Sequence, residues 1–259
     1  MGGLFHKLRH PRRCYVVCTI PRSGSNLLTD GLRDTRRAGM PKQFFLPKAE
    51  SRYAAELGIE PAADYAAYVR AIVNTKITRN EVFGFKLMSW YLKDFLARLR
   101  EAHGFRNSTT TDLELLCSAF PRLRFLRIVR CHKLRQALST ARALQTGLWK
   151  VQEGKSTLRE PEFDPDLIEQ SLHEVERQEK IWDDFFREIG VKPFKVEYEK
   201  LCQDYETTIR AVLNFLRIRL PTNTRVGPPV TTRQADEISR IWEERFLAER
   251  PSAYSPVSG

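Results

Sequence analysis

The chain has 259 residues, 42% hydrophobic and 29% charged, a balance that supports a packed core and argues against wholesale disorder. Its 43 lysines and arginines outnumber 32 aspartates and glutamates, and the formal net charge of +11 either calls for an anionic partner (nucleic acid, acidic membrane or phosphate-rich ligand) or serves solubility alone. No apolar run is long enough to span a bilayer.

Residues 1–13 (MGGLFHKLRHPRR) form a basic leader expected to be flexible, and no long apolar stretch follows that would mark a secretory signal. Residues 14–20 (CYVVCTI) are a short apolar, β-branched run bounded by PRSGS, which reads as a buried strand ending in a turn. Leu27, Leu28, Gly31 and Leu32 then recur at helical spacing, so the unit is strand, glycine loop, helix. Residues 38–52 read as loop and 61–77 as helix. A second strand is expected over 82–88, then a helix over 90–100 with Leu92, Phe95, Leu96 and Leu99 on one face. The polar loop 104–111 holds an Asn107-Ser108-Thr109 sequon, read as chance. A short helix over 113–120 leads to a third strand over 123–129, which Arg130 follows.

Residues 133–149 read as helix and 152–166 as loop. A long amphipathic helix over 166–189 is closed by Gly190 at the C′ position. A fourth strand over 193–198 and a helix over 205–216 precede an extended, proline-rich stretch, 219–232. A last helix is expected over 234–249, and the tail 251–259 is expected to be disordered. Strands alternate with helices without repeats. The pattern predicts one α/β domain, residues 14–250, with a mainly parallel central sheet flanked by helices.

The cysteines, Cys14, Cys18, Cys117, Cys131 and Cys202, contain no CxxC pair, which suits reduced thiols and a cytoplasmic protein and gives no zinc site.

The most specific local signal is Pro21-Arg22-Ser23-Gly24-Ser25-Asn26. It joins a buried strand to a helix, where backbone N–H groups and the helix dipole cradle an anion. It lacks the GxxxxGK[ST] of a Walker loop, and Arg22 stands before the turn instead of a lysine after it. The plain alternative is an ordinary connection. Arg130 ends the third strand, with Arg135 and Ser139 beyond it. In an open α/β sheet the C-terminal strand ends share the ligand edge, so Arg130 is expected beside the loop. A solvated basic helix face, the alternative, suits Arg142 better.

Together PRSGSNLL at 21–28, the strand-end Arg130 with its downstream Ser139, and VEYEKLCQDYETTIRAVLNFL resemble PAPS-dependent sulfotransferases. The likeness is greatest to the bacterial trehalose 2-sulfotransferase family, through Gly39-Met40-Pro41-Lys42-Gln43-Phe44-Phe45, Gly84-Phe85-Lys86-Leu87-Met88, Gln136-Ala137-Leu138-Ser139, Gln145-Thr146 and Arg233-Gln234-Ala235-Asp236. The motifs fall in the same order from about residue 14 to 249.

The resemblance implies a P-loop-like three-layer fold. It also implies transfer of a sulfuryl group from PAPS to a hydroxyl or amine of a small polar acceptor, a sugar or natural product, without a metal. Arg22 would stabilise charge growing on the leaving oxygen, aided by Pro21 and the backbone of Ser23, Gly24, Ser25, Asn26 and Leu27. Lys86 would hold the transferring group. Arg130 and Ser139, with Arg135, would grip the 3′-phosphate, and Arg233 would close over it. Tyr198, on the fourth strand, would sit near the adenine or pack in the core. Gln43, Phe44, Phe45 and Trp149 are candidates for lining the acceptor pocket, as is Trp90, with packing as the alternative for the aromatic residues. The family also implies a homodimer, and nothing suggests a nucleic-acid or membrane partner.

Two positions depart from the pattern. The trehalose enzymes place a glutamate, the proposed base, where this chain has Gln43, a neutral amide that holds a hydroxyl but takes no proton. The wider sulfotransferase group has a histidine where this chain has Met88. Glu50, His132, Glu153 and Glu179 remain as candidate bases. Otherwise the acceptor needs little help, or the chain binds PAPS with weak or no turnover. Arg135 replaces a family serine. A P-loop kinase-like phosphotransferase is disfavoured by the missing GK[ST], and a nucleic-acid module by the lack of a basic stripe interleaved with aromatics.

Overall fold

The computed structural model describes residues 10–104, 109–149, 160–221, 224, 226–227 and 237–254. Strands β1 (Arg13–Thr19), β2 (Val82–Met88), β3 (Leu123–Val129) and β4 (Phe194–Glu197) form one sheet in the order β2-β1-β3-β4, with every pair parallel. β1 lies between two neighbours and is buried on both faces, which is why it reads as a continuous apolar run. Its alternate side chains serve two cores. Cys14, Val16 and Cys18 join one cluster, and Tyr15 and Val17 join the other.

On the first face, α3 (Tyr65–Thr75), α4 (Ser89–Ala102), α5 (Asp112–Ala119) and α7 (Pro165–Glu188) enclose an aromatic core. Phe85 and Phe120 have centroids 4.7 Å apart there, with Phe45, Phe83 and Phe95 around them. Each such side chain contributes about 1.5–3 kcal/mol through burial. On the second face, α1 (Ser25–Asp34), α8 (Tyr198–Gln203) and α9 (Tyr205–Phe215) cover the sheet with Leu28, Leu32, Leu201, Ile209 and Val212. A third cluster joins α6 (Lys133–Thr146), the start of α7, and α10 (Glu237–Glu249) through Leu138, Ile168, Trp242 and Phe246. Among the described residues no helix is long and apolar enough to cross a membrane.

Several boundaries differ from the sequence reading. The stretch 38–52 is not all loop: α2 (Pro47–Leu57) occupies its end, with proline in the first turn where its missing N–H costs nothing. Before it, Lys42 bridges in parallel to Phe85, and the Lys86 N–H donates to the Lys42 carbonyl at 2.9 Å. The expected leader ends sooner, because Arg13 already belongs to β1 and the N–H groups of Arg12 and Arg13 donate to the Glu81 carbonyl. α6 stops at Thr146, where Gly147 takes the left-handed conformation. β4 ends at Glu197, so Tyr198 opens α8 and is not a strand residue. In the expected tail, Ala253 and Tyr254 pack on the third cluster. The sequon's Asn107 and Ser108, Glu153 and Arg233 lie outside the described residues.

Candidate functional site

The loop after β1 is held from beneath. The Ser23 hydroxyl is fully buried, 2.9 Å from the Ile20 carbonyl and 2.7 Å from the Thr19 hydroxyl. It therefore shapes the turn, and the loop's offer to a ligand comes from its backbone. The Trp182 indole N–H donates to the Thr19 carbonyl at 3.0 Å and pins the strand end to α7. Arg22 is left-handed at φ 59 and Gly24 at φ 86. Gly24 is the N-cap of α1, and no side chain caps the first-turn amides, which point outward at the positive end of the helix dipole.

Helix α6 grips the same loop from above. The Gln136 side-chain N–H donates to the Pro21 carbonyl at 2.7 Å. Arg22 donates through Nε to the Ser139 hydroxyl at 2.7 Å and through Nη1 to the Trp149 carbonyl at 2.8 Å. Arg130 Nη1 reaches the Arg22 carbonyl at 3.4 Å. The turn from β3 into α6 is fixed by Glu199, whose carboxylate accepts the N–H groups of Cys131 (3.0 Å) and His132 (3.2 Å).

The electrostatics favour an anion. Burial pushes the Arg22 guanidinium below the ordinary arginine value, and neighbouring Arg130 and Arg142 add to the effect. Burial likewise lowers Arg130, although Tyr198 and Glu199 oppose it. Arg130 lies 4.9 Å over the Tyr198 ring, and its buried Nε has no hydrogen-bond partner among the described residues. Tyr198 in turn lies against Gly24. Lys86, only 7% exposed, donates to Asn26 Oδ1 at 2.7 Å and to the Ser25 hydroxyl at 3.5 Å. The C-terminal sheet edge thus gathers Arg22, Arg130, Lys86, Ser139 and the α1 amides. This set can hold a ligand carrying anionic groups at two places.

Other expected residues are placed elsewhere. Phe44 and Phe45 have no exposure and pack with Tyr53, Phe83, Phe85 and Phe95, so they belong to the core and line no acceptor pocket. Arg135 donates through Nε to Glu243 of α10 at 2.8 Å, so its charge is matched by a carboxylate. Trp149 is 45% exposed and meets the site through its carbonyl. Trp90, 47% exposed, is the second residue of α4, just past the end of β2. Half-buried Gln43 follows Lys42, which bridges to Phe85 and whose carbonyl accepts the Lys86 N–H.

Two of the carboxylates considered as bases have structural duties. Buried Glu50 makes a two-point ion pair with Arg98, at 2.7 and 2.9 Å. Glu179 binds Arg127 and Lys133. His132 is the exposed N-cap residue of α6. Gln136 and Glu199 were given no role from sequence alone. Gln136 leaves no signal there, since it stands two residues from Leu134 and Leu138 and so nearly opposite them on α6, and only its complete burial marks it.

The Stf0 sulphotransferase family model matches residues 14–249. A trehalose 2-sulfotransferase of Mycobacterium tuberculosis is 26% identical over 271 residues, covering 95% of this chain and 98% of that one. One of Mycolicibacterium smegmatis is 27% identical over 264 residues, covering 92% and 95%. The sulfotransferase domain of the Synechococcus PCC 7002 olefin synthase aligns with 96% of this chain and 91% of its own at 15% identity and a TM-score of 0.47, a distant likeness only.

Proposed function

The chain belongs to the Stf0 sulphotransferase family and is a sulfotransferase, and from that premise we propose that its donor is PAPS and its acceptor a hydroxyl or amine of a small polar molecule. The carrying observation is the meeting of half-buried Arg22 and Arg130 at adjacent strand ends, where Arg130 reaches the Arg22 carbonyl at 3.4 Å next to the uncapped start of α1. These residues fit a nucleotide with anionic groups at both ends. Arg130 has an orphaned buried Nε to offer one, and the N-terminus of α1, with no side-chain cap, suits the other.

When bound, PAPS supplies an activated sulfuryl group on a phosphate leaving group. The amides of residues 23–27 orient that end, and Arg22 stabilises charge on the bridging oxygen as its bond to sulfur breaks. Lys86, steadied by Asn26, holds the sulfuryl oxygens. Arg130 and Ser139 hold the 3′-phosphate, and Tyr198, between Gly24 and Arg130, borders the nucleotide. A homodimer, a cytoplasmic setting suited to five free thiols, and a place in natural product biosynthesis belong to the same proposal.

Thermal shift tests the reading. Adenosine 3′,5′-bisphosphate should raise Tm well beyond ADP, because only the former presents a 3′-phosphate to Arg130. Equal shifts would refute that assignment.

A further inference from the structure

Successive carbonyls of the loop after β1 are taken by different donors. Thr19 accepts from the Trp182 indole at 3.0 Å and Ile20 from the Ser23 hydroxyl at 2.9 Å. Pro21 accepts from the Gln136 side-chain N–H at 2.7 Å, and Arg22 from Arg130 Nη1 at 3.4 Å. The last two bear on the conformation of Arg22. Its φ of 59 is a left-handed value that a residue with a β-carbon keeps only where its surroundings impose it. A peptide unit is planar, so a held carbonyl also sets the direction of the N–H on the opposite edge of its plane. The Pro21 carbonyl and the Arg22 N–H share one plane, and the Arg22 carbonyl and the Ser23 N–H share the next. The φ and ψ of Arg22 are the rotations between these two planes. The Arg130 contact is the longer of the two, so Gln136 has the firmer hold.

Gln136 is itself fixed in place. Its side chain is completely buried, and its backbone N–H donates to the His132 carbonyl at 3.1 Å in the opening turn of α6. The residues just before that turn, Cys131 and His132, are held by the Glu199 carboxylate. Three residues beyond Gln136, at the spacing that puts two side chains on one helix face, Ser139 accepts from Arg22 Nε at 2.7 Å. Helix α6 therefore holds Arg22 twice, by the peptide plane before it and by its side chain. A buried hydrogen bond of this kind matters because its loss leaves the carbonyl unpaired.

We propose that Gln136 is a positioning residue of the donor loop. It fixes the Pro21–Arg22 plane in the orientation that offers the Arg22 N–H to the 5′ end of the nucleotide. The 3′-phosphate, assigned to Arg130 and Ser139, does not depend on it. This rests on the donor reading above.

The test is calorimetry on the full chain with three ligands: adenosine 5′-monophosphate, adenosine 3′-monophosphate and adenosine 3′,5′-bisphosphate. Gln136→Met keeps the bulk of the side chain and removes the donor. Affinity for the 5′-monophosphate and the bisphosphate should fall at least about tenfold, while the 3′-monophosphate stays within about twofold of the parent. A general loosening of the fold would weaken all three together, so a parallel loss overturns the inference, as does an unchanged affinity for the 5′-monophosphate. If Gln136→Met gives no folded protein, Gln136→Leu is read by the same comparison. The parent separates the two levels. It should bind the bisphosphate at least about tenfold better than either monophosphate, and a parent that does not overturns the donor reading and the role of Gln136 together. A parent that does, with variants that show no selective loss at the 5′ end, leaves the donor reading standing and removes Gln136 alone.

Discussion

The ring of Tyr198 lies so close over Gly24 that a β-carbon there would come 2.1 Å from Tyr198 Cδ2. The contact ties the loop after β1 to the start of α8, and the Arg130 guanidinium lies over the same ring at 4.9 Å. Gly24→Ala must displace an aromatic ring and also occupy φ 86 with a β-carbon. The expected result is a loss of about 1–3 kcal/mol in denaturant unfolding, with the Tm increment from adenosine 3′,5′-bisphosphate abolished. A variant that keeps the increment would show that the ring contact does not shape the site.

Arg130→Met keeps much of the apolar stem and removes the buried charge. A charge-assisted contact is worth about 1.5–3 kcal/mol, so affinity for adenosine 3′,5′-bisphosphate should fall about 10- to 100-fold. ADP should bind within about twofold of the parent. Calorimetry of both ligands checks this, and a parallel loss for both would assign Arg130 to the loop itself.

Glu50→Gln breaks the buried pair with Arg98, which also holds the Tyr91 hydroxyl at 2.9 Å. Stability should drop by about 3 kcal/mol, since a guanidinium is left without its counter-charge. Activity per folded molecule should not change if Glu50 is purely structural. A steep fall in kcat with unaltered KM would instead return Glu50 to the list of bases.

Glu199 gives a pH dependence with a definite sign. Burial acts to raise its pKa, but the N–H groups of Cys131 and His132 outweigh it and hold the group below its ordinary value. A depressed carboxylate adds stability above its unfolded value, about 4.3, and that stability drains away as pH falls through the lower folded value. Urea midpoints should therefore decline below about pH 4.3, and Glu199→Gln should flatten that part of the decline. An unaltered slope would remove Glu199 from the acid response.

β1 was legible as a short apolar run closed by a turn, and β2, β3 and β4 as short stretches in which charged residues stand singly between apolar ones, and the parallel alternation with helices followed. The anion loop was legible for the same local reason: Arg22 and Gly24 sit where strand gives way to helix. What escaped depends on partners far along the chain. Phe44 and Phe45 look alike whether they line a pocket or fill a core, and only the bridge from Lys42 to Phe85 turns them inward. Arg135 and Ser139 share one face of α6, yet Glu243 of α10 claims the first and Arg22 the second. Tyr198 was placed one element too early, since a strand end and a helix start read alike in a short segment.

β1 and β3 are nearest neighbours in register, Cys18 opposite Arg127, so the anion loop and Arg130 are set apart by a single step of the sheet, about 4.8 Å. On the proposed reading of the site, the backbone hydrogen bonds of the sheet, and not the side chains around it, set the spacing between the two anion contacts.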